Sequence, residues 1–176
     1  MARIDEARTF VPVNIAILTV SDTRSEKTDK SGRTLQELAE ADGHKVVVRD
    51  IVKDSVDAIA AKLRDWIAEP EIDVVISTGG TGLTGRDVTP EAFKAVMEKE
   101  IEGFGELFRW VSYQTVGTST MQSRALGGLA EGTYLFALPG SPGACRDAWR
   151  EILTAQLDIR HRPCNLVELM PRLRET

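Results

Sequence analysis

Four runs of mainly apolar residues divide this chain. They are NIAILTV (14–20), KVVVRDIV (45–52), IDVVIST (72–78) and TYLFALPG (133–140). Such runs, rich in branched and aromatic residues and bounded by polar or glycine-bearing segments, are typical of strands buried on both faces of a parallel sheet. We therefore predict four strands at these positions.

Helical spacing of apolar residues fills the segments between the runs. A polar loop at 21–32 precedes a short helix that ends at Gly43. The clearest amphipathic pattern follows the second run, where apolar residues recur every three or four positions at Val56, Ile59, Ala60, Leu63, Trp66 and Ile67. We predict an amphipathic helix there, with one face buried against the sheet.

Two later helices carry recognisable start signals. Thr89-Pro90 and Ser141-Pro142 each pair a good capping residue with proline, which is favoured at the first helical position. Gly103 and Gly105 are expected to interrupt the pattern after Pro90, and apolar spacing beyond them predicts a further helix.

Strands therefore alternate with helices along the whole chain. This order predicts an α/β fold, a three-layer α/β/α arrangement in which helices cover both faces of a mostly parallel sheet. We expect a single domain over residues 1–176, with a polar N-terminal segment (1–12) and a C-terminal tail (163–176). Pro163 breaks the chain before the tail, which we expect to pack on the body of the domain.

Polar segments leave the carboxyl end of each predicted strand. They are SDTR after the first, KDS after the second, TGGTG after the third and PGSP after the fourth. Ligands of open α/β sheets bind at this edge. We therefore expect the four segments to form one site.

Composition and charge argue against several classes of protein and of binding site. A net charge of −5 and a pI of about 5.2 argue against a nucleic-acid surface. The absence of a long apolar run argues against a membrane span, and the charged start against a signal peptide, so we expect a cytoplasmic protein. The two cysteines and two histidines lack the spacing of a zinc site.

The segment STGGTGLTGRDVTPEA (77–92) partly matches two phosphate-binding motifs, the dinucleotide fingerprint and the P-loop, but it satisfies the requirements of neither. Its G-x-G-x-x-G follows the third strand, whereas a dinucleotide fingerprint follows the first strand of its unit. A P-loop would need lysine and then serine or threonine where this chain has Arg86 and Asp87. The glycines instead indicate a backbone site for an anion.

Asp87 follows this loop, and Asp54 follows the second strand. Either could simply cap a helix. Alternatively, two carboxylates beside a phosphate loop would hold Mg²⁺ for phosphoryl or nucleotidyl transfer, because a bare carboxylate repels phosphate. Arg86, Arg124 and Arg146 could face the same anion or be solvated.

Several motifs together resemble the MoaB/MogA family of molybdenum-cofactor biosynthesis proteins, which includes the G domains of fusion proteins such as gephyrin. They are ILTVSD, TGGTGLTGRDVTPEA, EGFGELFR, GTSTMQSRA, ALPGSPGACRDAW and QLDIRHRPCN. The resemblance spans residues 11–168, and GTSTMQSRA and RPCN are more similar to the MoaB branch than to the MogA branch.

The resemblance implies a molybdopterin-binding protein that assembles as a homo-oligomer, either a trimer or a hexamer. Catalytic members transfer AMP from Mg-ATP to the terminal phosphate of molybdopterin and release pyrophosphate. The implied ligands are therefore molybdopterin, ATP as co-substrate and Mg²⁺, and other proteins of the pathway are possible partners. A carrier of molybdopterin or a precursor, without catalysis, and a scaffold in cofactor assembly remain alternatives.

The resemblance also assigns residues. Gly79, Gly80, Thr81 and Gly82 would bind phosphate, and Asp54 and Asp87 would be the catalytic, metal-binding acids. The implied pocket further includes Ser21, Asp22, Glu106, Ser119, Pro139, Gly140 and Ser141. The family usually has proline before the first acid, where this chain has Lys53, but the aspartate itself is present.

Overall fold

The structure, a computed structural model, describes residues 3–175. Its helices and strands, in chain order, are β1 (Arg3–Ile4), β2 (Asn14–Val20), α1 (Lys30–Ala41), β3 (Lys45–Val52), α2 (Val56–Ile67), β4 (Val74–Thr78), α3 (Thr89–Lys94), β5 (Lys99–Glu100), α4 (Glu102–Val116), β6 (Leu126–Ala130), β7 (Thr133–Leu138), α5 (Pro142–Ala148), α6 (Thr154–Gln156) and β8 (His161–Arg162). A π-helical turn (Trp149–Leu153) joins α5 to α6, and two 3₁₀ segments lie at Gly117–Gln122 and Val167–Arg172.

Six strands form one mixed sheet in the order β3-β2-β4-β7-β6-β5. The first four run parallel, whereas β6 and β5 add to the β7 edge in antiparallel orientation. All four predicted strands are confirmed, with β3 at one edge of the sheet, although β4 begins two residues later than predicted and β7 ends two residues earlier. The carboxyl ends of these four strands therefore lie at one edge of the sheet.

Helices cover both faces of this sheet, as predicted. One face packs against α1, α4 and α5, with Leu35, Phe108 and Trp149 in its core. The other face packs against α2 and α3, with Leu63 and Phe93 in its core. The α/β/α architecture expected from the alternation of elements is confirmed.

The antiparallel strand β6 was not predicted, because its sequence LGGLA has neither strict alternation nor any β-branched or aromatic residue. The structure explains its two glycines. A Cβ atom at Gly127 would lie 3.0 Å from Phe104 and Phe136, and one at Gly128 would lie 2.0 Å from the sulfur of Met97. Close packing, which local propensity does not report, selects glycine here.

Two helix starts differ from prediction. α1 begins at Lys30, inside the polar loop predicted to extend to 32, because Asp29 caps it by accepting the Gly32 N–H. Thr89 does not cap α3 but is its first residue. Ser141 does cap α5, as predicted, and accepts the Ala144 N–H at 3.1 Å.

The predicted interruption at Gly103 and Gly105 is wrong, because both lie inside α4. A Cβ atom at Gly105 would lie 2.7 Å from the carbonyl oxygen of Ala125. The glycine therefore allows α4 to approach the chain entering β6 without ending the helix.

The N-terminal segment contacts the C-terminal part of the chain around β8. β1 pairs antiparallel with β8, and Arg8 donates to the carbonyl oxygen of Ile159 at 2.7 Å. Beyond β8, Val167 is buried against the core, and the Tyr134 hydroxyl donates to the Leu166 carbonyl at 3.0 Å. The tail thus packs on the sheet, as expected. Of the described helices, none is long and apolar enough to cross a membrane.

Candidate functional site

The four loops that leave the parallel strands meet at the carboxyl edge of the sheet. The Asp54 N–H, after β3, donates to Asp22, after β2, at 3.3 Å. Arg86, after β4, forms an ion pair with the same Asp22. After β7, Gly140 lies so near that a Cβ atom on it would be 3.3 Å from the Cα of Gly79. The four loops are therefore close to one another at this edge, as expected from strand order.

The glycine loop (residues 79–87) begins with two positions at which no side chain would fit. Gly79 and Gly80 have φ angles of +111° and +65°. A Cβ atom on Gly79 would lie 2.2 Å from the Val20 carbonyl oxygen, and one on Gly80 would lie 2.4 Å from the Thr89 hydroxyl. Both the backbone conformation and the surrounding atoms therefore require glycine.

The carbonyl groups of residues 79–82 are all hydrogen-bonded inside the protein. Thr89 donates to the first two, through its hydroxyl at 2.8 Å and its N–H at 3.0 Å. Arg124 donates to the last two, through its N–H at 2.9 Å and its Nε at 2.7 Å. Among residues 3–175, the N–H groups of Gly80 and Thr81 have no hydrogen-bond acceptor. A loop with bonded carbonyls and free N–H groups is suited to binding an anion.

Asp54 and Asp87 flank this loop. A Cβ atom on Gly80 would lie 3.2 Å from Asp54 Oδ1, and one on Gly82 would lie 2.8 Å from Asp87 Oδ2. Neither aspartate caps a helix: Ser55 caps α2, and α3 has no side-chain cap. The alternative of simple helix capping is therefore excluded for both acids.

The two carboxyl groups have opposite pKa shifts. Hydrogen bonds from the Thr84 hydroxyl at 2.6 Å and the Thr84 N–H at 2.9 Å, with a smaller effect of Arg124, hold the pKa of Asp87 below its ordinary value. Burial, and then the negative charge of Asp87, raise the pKa of Asp54. Asp54 therefore carries an unfavourable charge that a nearby cation would relieve.

This donor set fits Mg²⁺. Magnesium is commonly held by one or two carboxylates, with water and substrate phosphate completing its coordination. Within residues 3–175, no three His, Cys, Asp or Glu side chains cluster as a self-sufficient metal site. Asp54 and Asp87 could hold the ion only together with a phosphate on the glycine loop.

A cavity of about 420 Å³ opens beside the loop, a size typical of small-ligand sites. Phe108, Ser112 and Val116 of α4 form its opposite wall. Eight residues assigned from the sequence line it: Gly80, Thr81, Gly82, Asp87, Ser119, Pro139, Gly140 and Ser141. The structure thus brings most of the proposed pocket together around one space.

The other assigned residues lie elsewhere. Gly79 is buried under the loop, and Asp54 lies between Gly80 and Asp22. Ser21 and Asp22 line a separate groove of about 800 Å³ along β3. Glu106 lines a third cavity of about 550 Å³, together with Arg109 and Glu91, so the structure does not bring it to the glycine loop.

Sequence reasoning missed the contributions of Thr89 and Arg124. From the sequence, Thr89 is expected to cap a helix, and Arg124 is expected either to face the anion or to be solvated. A loop that turns its N–H groups outward must turn carbonyl groups inward, and these need donors. That requirement would have indicated a nearby threonine or arginine, but not which one.

Known proteins resemble this chain along most of its length. Residues 16–159 match the protein family described as "Probable molybdopterin binding domain". The molybdenum cofactor biosynthesis protein B of Escherichia coli K12 is 52% identical over 156 residues, which cover 89% of this chain and 92% of that protein.

Two solved structures have the same fold. A crystal structure of a molybdenum cofactor biosynthesis protein B superposes with a TM-score of 0.83 at 46% identity, covering 85% of this chain and 94% of the other. The tungsten cofactor synthesizing protein MoaB of Pyrococcus furiosus superposes with a TM-score of 0.73 at 35% identity, covering 81% and 91%.

Proposed function

Because this chain belongs to the molybdenum cofactor biosynthesis family, with the molybdopterin-binding domain over residues 16–159, we propose that it is a molybdopterin adenylyltransferase. It transfers AMP from Mg-ATP to the terminal phosphate of molybdopterin. The family resemblance predicted from the motifs, including that to MoaB proteins, is confirmed by these relatives.

One observation carries the proposal. An anion-binding loop with free N–H groups lies between two aspartates, and the charge of one raises the pKa of the other. A protein that only bound a phosphate would gain nothing from two adjacent negative charges. The arrangement is useful when a cation joins the carboxylates to the phosphates of a substrate.

The reaction joins two anions, so its barrier is largely electrostatic. An oxygen of the molybdopterin phosphate bonds to the α-phosphorus of ATP, and the bond from that phosphorus to the bridging oxygen of the β-phosphate breaks. Pyrophosphate leaves with the electron pair. Bound Mg²⁺ would reduce the charge repulsion between the phosphates.

The residues of the chain hold the reacting groups. The N–H groups of Gly80 and Thr81 would donate to a phosphate oxygen, and Asp54 and Asp87 would hold the cation. The wall formed by α4 excludes water on one side of the cavity. Fixed donors of this kind stabilise charge without having to reorient during the reaction.

We also propose that the protein acts as a homo-oligomer, a trimer or a hexamer. Leu107, Trp110 and Tyr113 project from α4 at intervals of three residues and are exposed, as is Met121 in the following segment. A contiguous exposed apolar patch is typical of an interface. Association with other proteins of the pathway and a cytoplasmic location stay predictions.

Pyrophosphate release from Mg-ATP and molybdopterin tests the enzyme function. We expect the wild-type protein to release it and Asp87→Asn to lose more than about 100-fold in rate while still binding molybdopterin. Asp65→Asn is a matched control, because Asp65 is exposed on α2, away from the site.

The same assay separates enzyme from carrier. A carrier or scaffold, the alternative expected from the sequence, would bind molybdopterin but release no pyrophosphate. A wild-type protein with that behaviour would overturn the adenylyltransferase assignment and leave the family membership unaffected.

A further inference from the structure

We propose that Arg124 is a positioning residue that holds the glycine loop, and with it Asp87, in the geometry needed for adenylyl transfer. This inference rests on the proposed function. Arg124 lies just before β6, far along the chain from the loop that it contacts.

All three guanidinium nitrogens of Arg124 are bonded. Nε donates to the Gly82 carbonyl at 2.7 Å, and one terminal nitrogen donates to the Asp87 carbonyl at 2.5 Å. The other terminal nitrogen forms an ion pair with Glu91 in α3. The side chain therefore joins the start of the 82–87 segment, its end and the helix that follows it.

Apart from Arg124, the segment is held by the Arg86–Asp22 ion pair and by hydrogen bonds between Thr84 and Asp87 within it. The side chain of Leu83 is 67% exposed, and Thr84, Gly85 and Arg86 are exposed as well. A segment without buried side chains gains almost no hydrophobic stabilisation and depends on its hydrogen bonds for a fixed conformation. The bonds of Arg124 to the carbonyl groups of Gly82 and Asp87 join both ends of the segment to one side chain outside it, and so contribute to the position of the Asp87 backbone.

The contacts require the shape of a guanidinium group. Its planar fork presents several donors in fixed relative directions, whereas the ammonium group of lysine is a single point of donation on a flexible stem. Lysine at this position could reach the carbonyl of Gly82 or of Asp87, but it could not bond both and Glu91 together. The loop would then be held at one end.

Arg124 also connects the loop to the segment that precedes β6. Its backbone N–H donates to the Thr81 carbonyl at 2.9 Å, and the preceding Gln122 and Ser123 line the cavity. Arg124 itself does not line that cavity. It therefore acts on the site through the loop rather than by touching the ligand.

Exchange of backbone amide hydrogens tests positioning without requiring catalysis. In the substrate-free protein, we expect Arg124→Gln to accelerate exchange at residues 82–88 by about 10-fold or more, with exchange in β4 and β7 unchanged. Arg109→Gln is the matched control, because Arg109 also donates to a carbonyl, that of Ala125 at 3.3 Å, but does not contact the loop. Unchanged exchange at 82–88 in Arg124→Gln would overturn the inference.

Kinetics provide the second readout. We expect Arg124→Gln to lower kcat for pyrophosphate release by about 10- to 100-fold, with KM for Mg-ATP changed by less than about 3-fold, since misplaced groups slow the chemical step. Arg124→Lys should fall between wild type and Arg124→Gln in both exchange and kcat. If Arg124→Gln does not fold, hydrogen exchange and kcat of Arg124→Lys test the inference instead.

The two readouts separate this inference from the proposed function. An inactive wild-type protein would refute adenylyl transfer, and the exchange measurement would still decide whether Arg124 positions the loop. An active wild type whose Arg124 variants raise KM alone would instead indicate a direct ligand contact and contradict positioning.

Discussion

At the scale of single residues, neighbouring glycines of one loop have different requirements. Gly80 has a φ angle of +65° and no room for a side chain. Gly85 has no heavy atom within 4 Å of a Cβ position. In the dinucleotide-like spacing G-x-G-x-x-G both are equivalent letters, yet only the first is constrained by its surroundings.

Alanine substitutions measure this difference. We expect Gly80→Ala to lower the free energy of unfolding by about 1–3 kcal/mol, because alanine is strained at positive φ and would displace the Thr89 hydroxyl. Pyrophosphate release should fall on the order of 100-fold, since the loop N–H groups move. The matched variant Gly85→Ala should change stability by less than about 0.5 kcal/mol. Urea unfolding measures stability, and equal losses in both variants would contradict this account.

The two aspartates of the site also differ because of their surroundings, in this case in their pKa values. Both are identical letters in the sequence and both follow parallel strands. Their pKa values shift in opposite directions because their surroundings differ. Hydrogen-bond donors lower the pKa of Asp87, whereas burial and the like charge of Asp87 raise the pKa of Asp54. Residue type alone does not determine this difference.

At the scale of elements, the start of α1 depends on one buried carboxylate. Asp29 is 1% exposed, caps the helix and accepts hydrogen bonds from Thr19 at 2.8 Å and Arg49 at 3.0 Å. Burial by itself raises the pKa of Asp29, but these bonds and the Gly32 N–H more than offset it, so the pKa lies below 3.8. The cap therefore also joins α1 to β2 and to the edge strand β3.

Replacing this carboxylate should destabilise the fold in a pH-dependent way. We expect Asp29→Asn to lower the free energy of unfolding by about 1–3 kcal/mol at pH 7, because Arg49 loses its charged acceptor in a buried setting. Since the folded pKa of Asp29 is depressed, its contribution is complete above 3.8 and is lost as the pH falls below that value.

Urea unfolding of both proteins at several pH values checks this prediction. The difference between wild type and Asp29→Asn should be constant from pH 7 to pH 4.5 and should narrow at lower pH. Asp65→Asn, on the exposed side of α2, should show no such trend. A difference that stays constant through the acid range would show that the charge of Asp29 contributes nothing.

At the scale of the whole molecule, the apolar face of α4 lies next to the site. Trp110 is 66% exposed and Met121 is 78% exposed, while Val116 of the same helix lines the cavity. Association through this face would therefore place a second copy beside the bound ligand.

A charged substitution on this face tests the assembly. We expect Trp110→Asp to lower the mass of the proposed homo-oligomer, because an ionised carboxylate buried in an apolar interface is strongly unfavourable. Light scattering coupled to size-exclusion chromatography measures the mass. Leu169→Asp, at an exposed apolar residue of the C-terminal tail, should leave the mass unchanged. A monomeric wild type, or an unchanged mass for Trp110→Asp, would contradict this interface.

Much of the architecture was predictable from periodicity. The strands β2 and β4 have continuous apolar runs because both of their faces are buried, whereas β3 lies at the edge of the sheet and is only partly buried. The amphipathic spacing of α2 matches the single face that it buries. β6 was not predictable in this way, since its glycines at 127 and 128 are selected by the close approach of Phe104 and Met97. The same reason applies to Gly105, which allows a close approach to Ala125 inside a helix.

By itself, the sequence determined the α/β/α class, the edge at which the candidate site lies and the two acids that follow β3 and β4, which are successive parallel strands along the chain. These features depend on local periodicity, on strand order and on motifs that are contiguous in the chain. Tertiary structure decided which residues share the cavity, that Glu106 lies in another one, and that Arg124 bonds the loop carbonyl groups. Contacts between residues about 40 positions apart depend on how helices and loops pack, which no local pattern encodes.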